Sequence, residues 1–533
     1  MLKKVEISTL IILIIFAFYC ALTIGSSWDE SYAMTIGKER LKYLFSLGSY
    51  KDYAFYRYDE FYPGFYNTLA IFVTKIFPNK YEIEIWHLTN TIFSISTVFG
   101  IYKITSNLFD KKVGKIVFLL CFLNPIFFGH MAMNSKDTMV AFAHVWSTYI
   151  FLRYLQTQNT TKNHNRYILL AGLTVGFGTG VRLPFIATLF PLMIFVIVDM
   201  FFFKTIISHK FSIKKFIIDL VKVLLIAYFI AILTWPDAHS NIFTEPFKLF
   251  MAQSKFQGFG GGWLLFNGNF FNTLSLPPSY IFINLIYKSP EFILVAYVIF
   301  IYFIIADKRF FSSRFNFFWT KIFLISFIFL FPIVSFIFIP YRVYDGLRLF
   351  LYIIPYFSII PALAIYYLIN NFNALLPKLL LGVITSLFIY YSFIFFSFTP
   401  YQYTYLNKFI GNLSNAHKKF ENDYWNISIK ELINKIPRET NLISNNEKIK
   451  ISYCGVAHDL AKRELNKLKN IRYEVMDLHA KNFDYIIMTN RADADKDADI
   501  LDNVKGCFEK VKGEDLVTVE RNGLMLSTLR KRL

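Results

Sequence analysis

Long unbroken apolar stretches constrain this chain more than anything else in it. A helix needs about 20 apolar residues to cross the hydrocarbon core of a bilayer. Eleven segments approach that length: 5–25, 85–104, 113–129, 138–155, 167–183, 184–203, 216–235, 290–306, 319–339, 347–369 and 376–398. The composition agrees. Of the 533 residues, 55% are hydrophobic and 17% charged, against about 45–50% and about 25% in ordinary globular domains. A soluble globular protein and a disordered chain are both excluded. The pattern predicts a mostly helical, polytopic transmembrane bundle over 1–399 and a small α/β domain over 400–533.

The first apolar run follows Lys3 and Lys4. Its length, and Phe18 and Tyr19 where a cleavage site would want small residues, favour a retained signal anchor over a cleaved signal. The formal charge of +19 would suggest a nucleic-acid partner in a soluble domain. Its distribution says otherwise, because from residue 401 on, 23 basic residues face 19 acidic ones, whereas the first 400 hold 33 against 18. With a cytoplasmic N-terminus, the basic loops 103–115, 153–166, 204–215 and 307–321 all fall inside, as the positive-inside rule requires. Segments 26–84, 130–137, 236–289 and 340–346 and the tail then lie outside, and 13 of the 18 acids of residues 1–399 lie at that outer face, Glu291 at the end of its span among them. The expected location is the plasma (inner) membrane with an extracytoplasmic tail.

The tail reads as a helix over 415–437, strands over Lys448–Cys454, Ile471–Met476 and Phe483–Thr489, helical spacing over His458–Leu468, and a hairpin about Asn522–Gly523. Cys454 and Cys507 are expected as buried free thiols, although a disulfide is chemically permitted outside the cytoplasm. Cys20 and Cys121 lie in apolar runs as small hydrophobes.

Three constellations could carry chemistry. Asp29–Glu30 stands where the first span exits. Such a carboxylate is either a solvated span end or a general base whose desolvation raises its pKa. Asn134–Ser135–Lys136–Asp137 precedes a span, where Ser135 or Asp137 would also serve as an N-cap. Arg182, Lys288, Arg342 and Arg348 lie at the outer interface, the last two flanking Tyr344–Asp345–Gly346. They are either snorkelling anchors or a clamp for a lipid phosphate. Asp493–Ala494–Asp495 and Asp497–Ala498–Asp499 read as a solvated stretch rather than a metal site. Gly258–Gly262 lacks the Lys-Ser/Thr of a phosphate loop. His130, His144 and His239 lack metal-ligand spacing, and Gly172, Gly176 and Gly180 suggest close helix packing.

In order along the chain, Asp29–Glu30, Tyr62–Pro63–Gly64–Phe65–Tyr66, Asn124–Pro125 through Asp137, Val181–Arg182–Leu183–Pro184, Lys288–Ser289–Pro290, Tyr344–Asp345–Gly346–Leu347–Arg348 and Asp423–Tyr424–Trp425 resemble polyprenyl-phosphate-sugar-dependent glycosyltransferases of the GT-C fold. The chain is most similar to the protein O-mannosyltransferase-like superfamily, which includes the lipid A aminoarabinose transferase. It departs from that pattern at Tyr32–Ala33–Met34 and at Tyr62, where many members carry His. The resemblance implies a GT-C bundle of about 11–13 spans and an inverting transfer of sugar from a polyprenyl phosphate to an acceptor hydroxyl at the outer face.

It also implies roles. Asp29 would be the base, Glu30 its support, and Asp137 an orienting acid. Lys288, Arg348, Arg182 and Arg342 would bind the donor phosphate, and Lys136, Tyr344, Asp345 and Tyr62 would position substrate. The donor is the lipid-linked sugar, the acceptor a glycolipid, polysaccharide or protein. No nucleotide is expected, and a divalent metal is left open. The alternative is a flippase for a lipid-linked glycan, whose internal repeats and mid-span acids the sequence does not display.

Overall fold

The structure is a computed structural model. It describes residues 2–52, 59–159, 164–255, 262–440, 448–468, 472–478, 482–494 and 504–533. Asp495, Asp497, Asp499 and Gly258 through Gly261 lie outside them.

Helix α1 (Leu2–Thr23) leads into α2 (Glu30–Phe45), α3 (Phe65–Thr74), α4 (Glu82–Leu108), α5 (Lys111–Phe122) and α6 (Pro125–His130). Next come α7 (Asp137–Thr157), α8 (His164–Val181), α9 (Phe185–Thr188), α10 (Phe190–Val198), α11 (Ile213–Leu233) and α12 (Glu245–Lys255). A hairpin of β1 (Trp263–Phe266) and β2 (Asn269–Asn272) precedes α13 (Tyr280–Lys288), α14 (Glu291–Ala306), α15 (Lys308–Arg314) and α16 (Phe318–Phe338). A 3₁₀ segment, Arg348–Ile353, runs into α17 (Ile354–Phe357) and α18 (Ile359–Asn370), and α19 (Leu375–Ser397) follows.

Helix occupies each of the eleven apolar segments. Among the described residues, five helices are both long and apolar enough to cross a membrane, or six if the bent α13–α14 pair is one span. The chain is a multi-pass membrane protein. α4 and α7 have the length, at 27 and 21 residues, without the apolarity. α4 buries Thr89, Thr91, Thr97 and Thr105. Their hydroxyls donate to carbonyls one turn back, at Ile85, His87, Phe93 and Ile101, so these polar groups are satisfied inside the helix.

The breaks have local causes. The segment 113–129 is expected as one span but divides at Asn124–Pro125. Pro125 begins α6, and the Asn124 side chain accepts from Phe127 N at 3.0 Å, a proline-first, Asn-capped helix start. α13 and α14 meet at 110° across Ser289–Pro290. There the amide of Asn407 donates to the carbonyls of Ile286 and Ser289, at 2.5 and 2.9 Å, groups a helix end would otherwise leave unpaired. Gly172 and Gly176 let α8 lie directly on α11: a Cβ on either would come within 2.6–2.7 Å of Ile226 or Ile230.

The tail departs from expectation at its start. Instead of one helix over 415–437, a 3₁₀ turn (Leu413–Lys418) and an irregular stretch precede α20 (Ile429–Glu439). Asn426 takes a left-handed φ of 61°, and the Asp423 carboxylate accepts from the amides of Ile427 and Ser428. Together these force the chain to turn before the helix begins. Beyond lie β3 (Ile449–Cys454), α21 (His458–Leu465), β4 (Tyr473–Val475), β5 (Tyr485–Thr489), β6 (Ala492–Ala494), β7 (Val504–Gly506), α22 (Cys507–Lys510), β8 (Gly513–Arg521) and β9 (Leu524–Arg532). The main sheet has the order β4-β3-β5-β9-β8. Its first three strands are parallel, and β9 and β8 antiparallel. Asn522 and Gly523 both have positive φ, as the expected hairpin turn requires. Leu432, Ile433 and Ile436 of α20 and Leu460 and Leu465 of α21 are buried with Ile451 and Leu529 of the sheet.

The expectation of two free thiols in the tail is overturned. Cys454 and Cys507 form a disulfide, with Cα atoms 5.6 Å apart, because the end of β3 and the start of α22 meet there. Cys20 and Cys121 are free and buried. Replacing both Cys454 and Cys507 by Ser is expected to cost about 2–4 kcal/mol of stability, read as a lower denaturant midpoint for the tail. Alkylation of the unreduced protein should label neither residue; labelling of both without reductant contradicts the bond.

Candidate active site

Asp29 ends the turn between α1 and α2. It stands at the N-cap of α2 but makes no side-chain capping bond. Its carboxylate instead meets Arg348, whose Nη2 donates to Oδ2 at 2.8 Å, and Lys136, whose Nζ lies 3.9 Å away. Arg348 turns its Nε to Asp137 Oδ2, also at 2.8 Å. Arg182 Nη1 takes the other oxygen of Asp137 at 2.6 Å. The five groups alternate in sign, Lys136, Asp29, Arg348, Asp137, Arg182, with one positive charge in excess. They come from four separated stretches of chain, and the fold brings them to one end of the bundle.

The surroundings hold this network in place. The N-cap position of α7 is Lys136, which makes no side-chain cap, rather than the expected Ser135 or Asp137, and the first amides are met by Asn134. Its Oδ1 accepts from the amides of Lys136 and Asp137, and its Nδ2 donates to Asp137 Oδ2 at 3.1 Å. The Arg348 guanidinium lies 4.1 Å from the Trp425 ring and 5.2 Å from that of Tyr344. Lys136 Nζ lies 5.0 and 4.9 Å from the rings of Tyr32 and Tyr62. Cations over aromatic faces are stabilised more strongly where water is excluded.

Exposure separates the two acids. The side chain of Asp137 is 4% exposed and that of Asp29 33%. Asp137 is held by two arginines, and of the pair Asp29 is the more exposed carboxylate. Its expected raised pKa is corrected. Burial pushes the carboxyl up, but Lys136 and Arg348 nearby, and the Arg348 hydrogen bond, outweigh it and hold the group at about 2. Asp29 is therefore ionised at neutral pH.

A cavity of about 510 Å³ adjoins the network. At one end stand Tyr62, Asp137 and Arg182. The remainder runs between apolar groups of α9, α10 and α16 such as Phe185, Pro191 and Phe331. A polar mouth on an apolar groove fits an amphipathic ligand with an anionic head.

Not every expected residue joins. Glu30 points away: its carboxylate accepts from Ser27 N at 2.8 Å and pairs with His87 Nε2 at 2.6 Å. It ties the start of α2 to α4. Lys288 lies in a separate small pocket with Tyr280, Asp345, Gly346 and Glu421. There burial raises Asp345 to about 6 and Glu421 to about 7, only partly offset by neighbouring cations. Arg342 is half-buried on the preceding loop and outside the Asp29–Asp137 network. Among the described residues no three His, Cys, Asp or Glu side chains are placed to hold a metal.

Three residues had no signal in the sequence. Arg40 donates to the carbonyls of Asp59, Pro63 and Thr234, which fixes the loop carrying Tyr62. His87 holds Glu30. Arg491, in the tail, stacks its guanidinium 4.1 Å from the Trp28 ring and 3.9 Å from that of Tyr424, next to Asp29. The disulfide lies directly behind it: Cys507 N donates to the Arg491 carbonyl at 3.0 Å.

Residues 63–235 match the family model described as dolichyl-phosphate-mannose-protein mannosyltransferase. A comparison with curated protein sequences finds no match. Among solved structures the chain is similar to ArnT from Cupriavidus metallidurans. Against its undecaprenyl-phosphate-bound form the TM-score is 0.52 at 12% identity, covering 98% of this chain and 97% of that one. Against the apo form the TM-score is 0.50 at 11% identity, covering 99% and 97%. The archaeal oligosaccharyltransferase AglB from Archaeoglobus fulgidus, in complex with an inhibitory peptide and a dolichol-phosphate, gives 0.51 at 12% identity, covering 91% of this chain and 69% of that one. The chain has the GT-C fold of these proteins, and its residues 63–235 are similar to the dolichyl-phosphate-mannose-protein mannosyltransferase family.

Proposed function

We propose that this protein is an integral-membrane glycosyltransferase. It moves a sugar from a polyprenyl phosphate to an acceptor hydroxyl at the extracytoplasmic face, with inversion at the anomeric carbon. One observation carries the reading: a partly exposed, ionised carboxylate, Asp29, is held by Arg348 and Lys136 and linked through Arg348 to Asp137, which with Arg182 stands at the polar end of an otherwise mostly apolar groove. The bound undecaprenyl phosphate of the ArnT structure and the dolichol-phosphate of the AglB structure support the same class of donor.

In this reading the prenyl chain lies in the apolar groove and the phosphate meets Arg182, the more exposed arginine of the network, whose side chain is 23% exposed against 4% for Arg348. The network has one uncompensated positive charge to offer. As the phosphate draws on Lys136 and Arg348, their hold on Asp29 weakens and its proton affinity rises. The acceptor hydroxyl then gives its proton to Asp29 as its oxygen attacks the anomeric carbon. The bond from that carbon to the phosphate oxygen breaks with its electron pair on the phosphate. The leaving group is an anion already, so cations rather than a general acid stabilise it. Attack opposite the leaving group inverts the centre. Asp137 orients Arg182 and Arg348, Tyr62 lines the groove, and the Tyr344 ring lies against Arg348. Lys288 and Asp345 line a separate pocket and Arg342 stands on the loop before Tyr344, and this reading gives none of them a part in the step. The acceptor class, glycolipid, polysaccharide or protein, is a matter for the assay.

With labelled polyprenyl-phosphate sugar and envelope acceptors, Asp29→Asn is expected to lower transfer by about 10²–10⁴-fold; full activity sinks the base assignment. Arg348→Gln leaves two carboxylates short of a buried partner and is expected to cost about 3–5 kcal/mol, seen as a lower melting temperature in detergent, and an unchanged melt contradicts the network. The pH sign follows from Asp29. Its folded pKa is depressed from 3.8 to about 2, so its contribution to stability is full above about pH 4 and lost as pH falls toward 2. kcat/KM should accordingly show no acid limb from Asp29 above about pH 4, and one rising into that range in Arg348→Gln. An acid limb near pH 6 that vanishes in Asp29→Asn would contradict the depressed value.

A further inference from the structure

Away from the Asp29 network, at the same end of the bundle, a second cavity of about 480 Å³ opens where α1 and α19 leave the membrane region. Four cations line it, Lys430, Lys435, Arg438 and Arg521, against one carboxylate, Glu431. Lys430, Asn434 and Arg438 recur every four residues, and Glu431, Lys435 and Arg438 every three or four, so they share one face of α20. The opposite face of that helix is buried through Leu432, Ile433 and Ile436.

Glu431 is already committed. Arg521 donates to both of its oxygens, at 3.2 and 2.6 Å, and Tyr401 OH donates at 2.9 Å. The other three cations are left without a close carboxylate of their own. Among the described residues Lys430 Nζ reaches only the carbonyls of Thr23 and Ile24, at 3.5 and 3.4 Å. Lys435 Nζ donates to the Thr518 carbonyl at 3.1 Å and stands 3.7 Å from Glu431. Arg438 is exposed and makes no ion pair among the described residues. Cations held around an open cavity attract an anion, and guanidinium and ammonium groups suit a phosphate.

The surface beneath the cavity says what carries the phosphate. Ile15, Tyr19 and Leu22 of α1 are exposed, as are Phe393 and Phe396 of α19. The two helices touch there, Phe16 against Phe396 with ring centroids 4.9 Å apart. This apolar strip runs up to the cavity, which Tyr19 and Tyr401 line, the residue type favoured where a membrane meets water. A soluble phosphate would use the cations and none of the strip. A glycerophospholipid uses both.

We infer that this cavity binds the headgroup of an anionic glycerophospholipid, with the acyl chains along the α1–α19 surface, at a site separate from the Arg182 groove. The test uses the full-length protein in nanodiscs of phosphatidylcholine containing either phosphatidylglycerol or a photoactivatable phosphatidylglycerol, with native mass spectrometry to count retained lipids. Phosphatidylglycerol should be retained at least about tenfold over phosphatidylcholine, a preference that Lys430→Gln, Lys435→Gln and Arg438→Gln together abolish. These side chains face the cavity and not the core, and an unchanged melting temperature checks that the variant is folded. Photolabel should fall on residues 15–23 and 393–401 of the wild type, which keeps the test independent of the variant. Equal retention of the two lipids, a preference that survives in the variant, labelling only elsewhere, displacement by millimolar inorganic phosphate, or binding confined to polyprenyl phosphate would each overturn the inference.

Discussion

The chemistry proposed for this protein depends on the sharing of one arginine between two carboxylates. Arg348 bonds Asp29 through Nη2 and Asp137 through Nε, and its own side chain is 4% exposed. A guanidinium so buried is tolerable only because it is paired and hydrogen-bonded on several sides. At an effective dielectric near 20, each contact at about 4 Å is worth about 4 kcal/mol before desolvation. The arrangement thus locks together the α1–α2 turn, the start of α7 and the segment that begins the span to α18. Removing Asp137 would take a carboxylate from Arg348 and Arg182 at once. The same arrangement makes Asp29 a carboxylate in waiting: ionised, partly exposed and restrained by cations that an incoming phosphate would also want.

The membrane architecture was legible because a bilayer leaves a chain few options. Apolar runs near 20 residues specify helices, and helices stand at all eleven. What the pattern could not reveal was where those helices break or bend. Asn124 as a cap and Asn407 as a partner for the carbonyls at the α13–α14 bend are set by single side chains, the second acting from more than a hundred residues away. Hydropathy is blind to both. In the tail, the helix expected over 415–437 fails for a similar reason. Asp423 and Asn426 favour a turn that helical spacing alone does not register.

The site was legible in part. Asp29, Asp137, Arg182, Arg348, Lys136 and Tyr62 were marked by type and order, and the fold collects them. Glu30 was marked by adjacency to Asp29, yet one step along a helix start rotates its carboxylate toward His87. Lys288 and Asp345 likewise share a stretch with true neighbours of the network but face another pocket. The expected upward shift of the Asp29 pKa assumed desolvation without partners; two cations reverse its sign. Arg491 was invisible because its importance arises only after the tail folds against Trp28. The Cys454–Cys507 bond, placed behind that arginine, makes the tail a structural part of the centre rather than an appendage.

The central claim is that Asp29 and the donor phosphate draw on the same cations. It is tested most directly by measuring the affinity of polyprenyl phosphate, without sugar or acceptor, for the wild type and for Asp29→Asn. If they compete, the neutral side chain frees positive charge, and the variant binds about tenfold or more tightly, a gain erased at high salt. Unchanged or weaker binding by a folded Asp29→Asn protein would contradict the account.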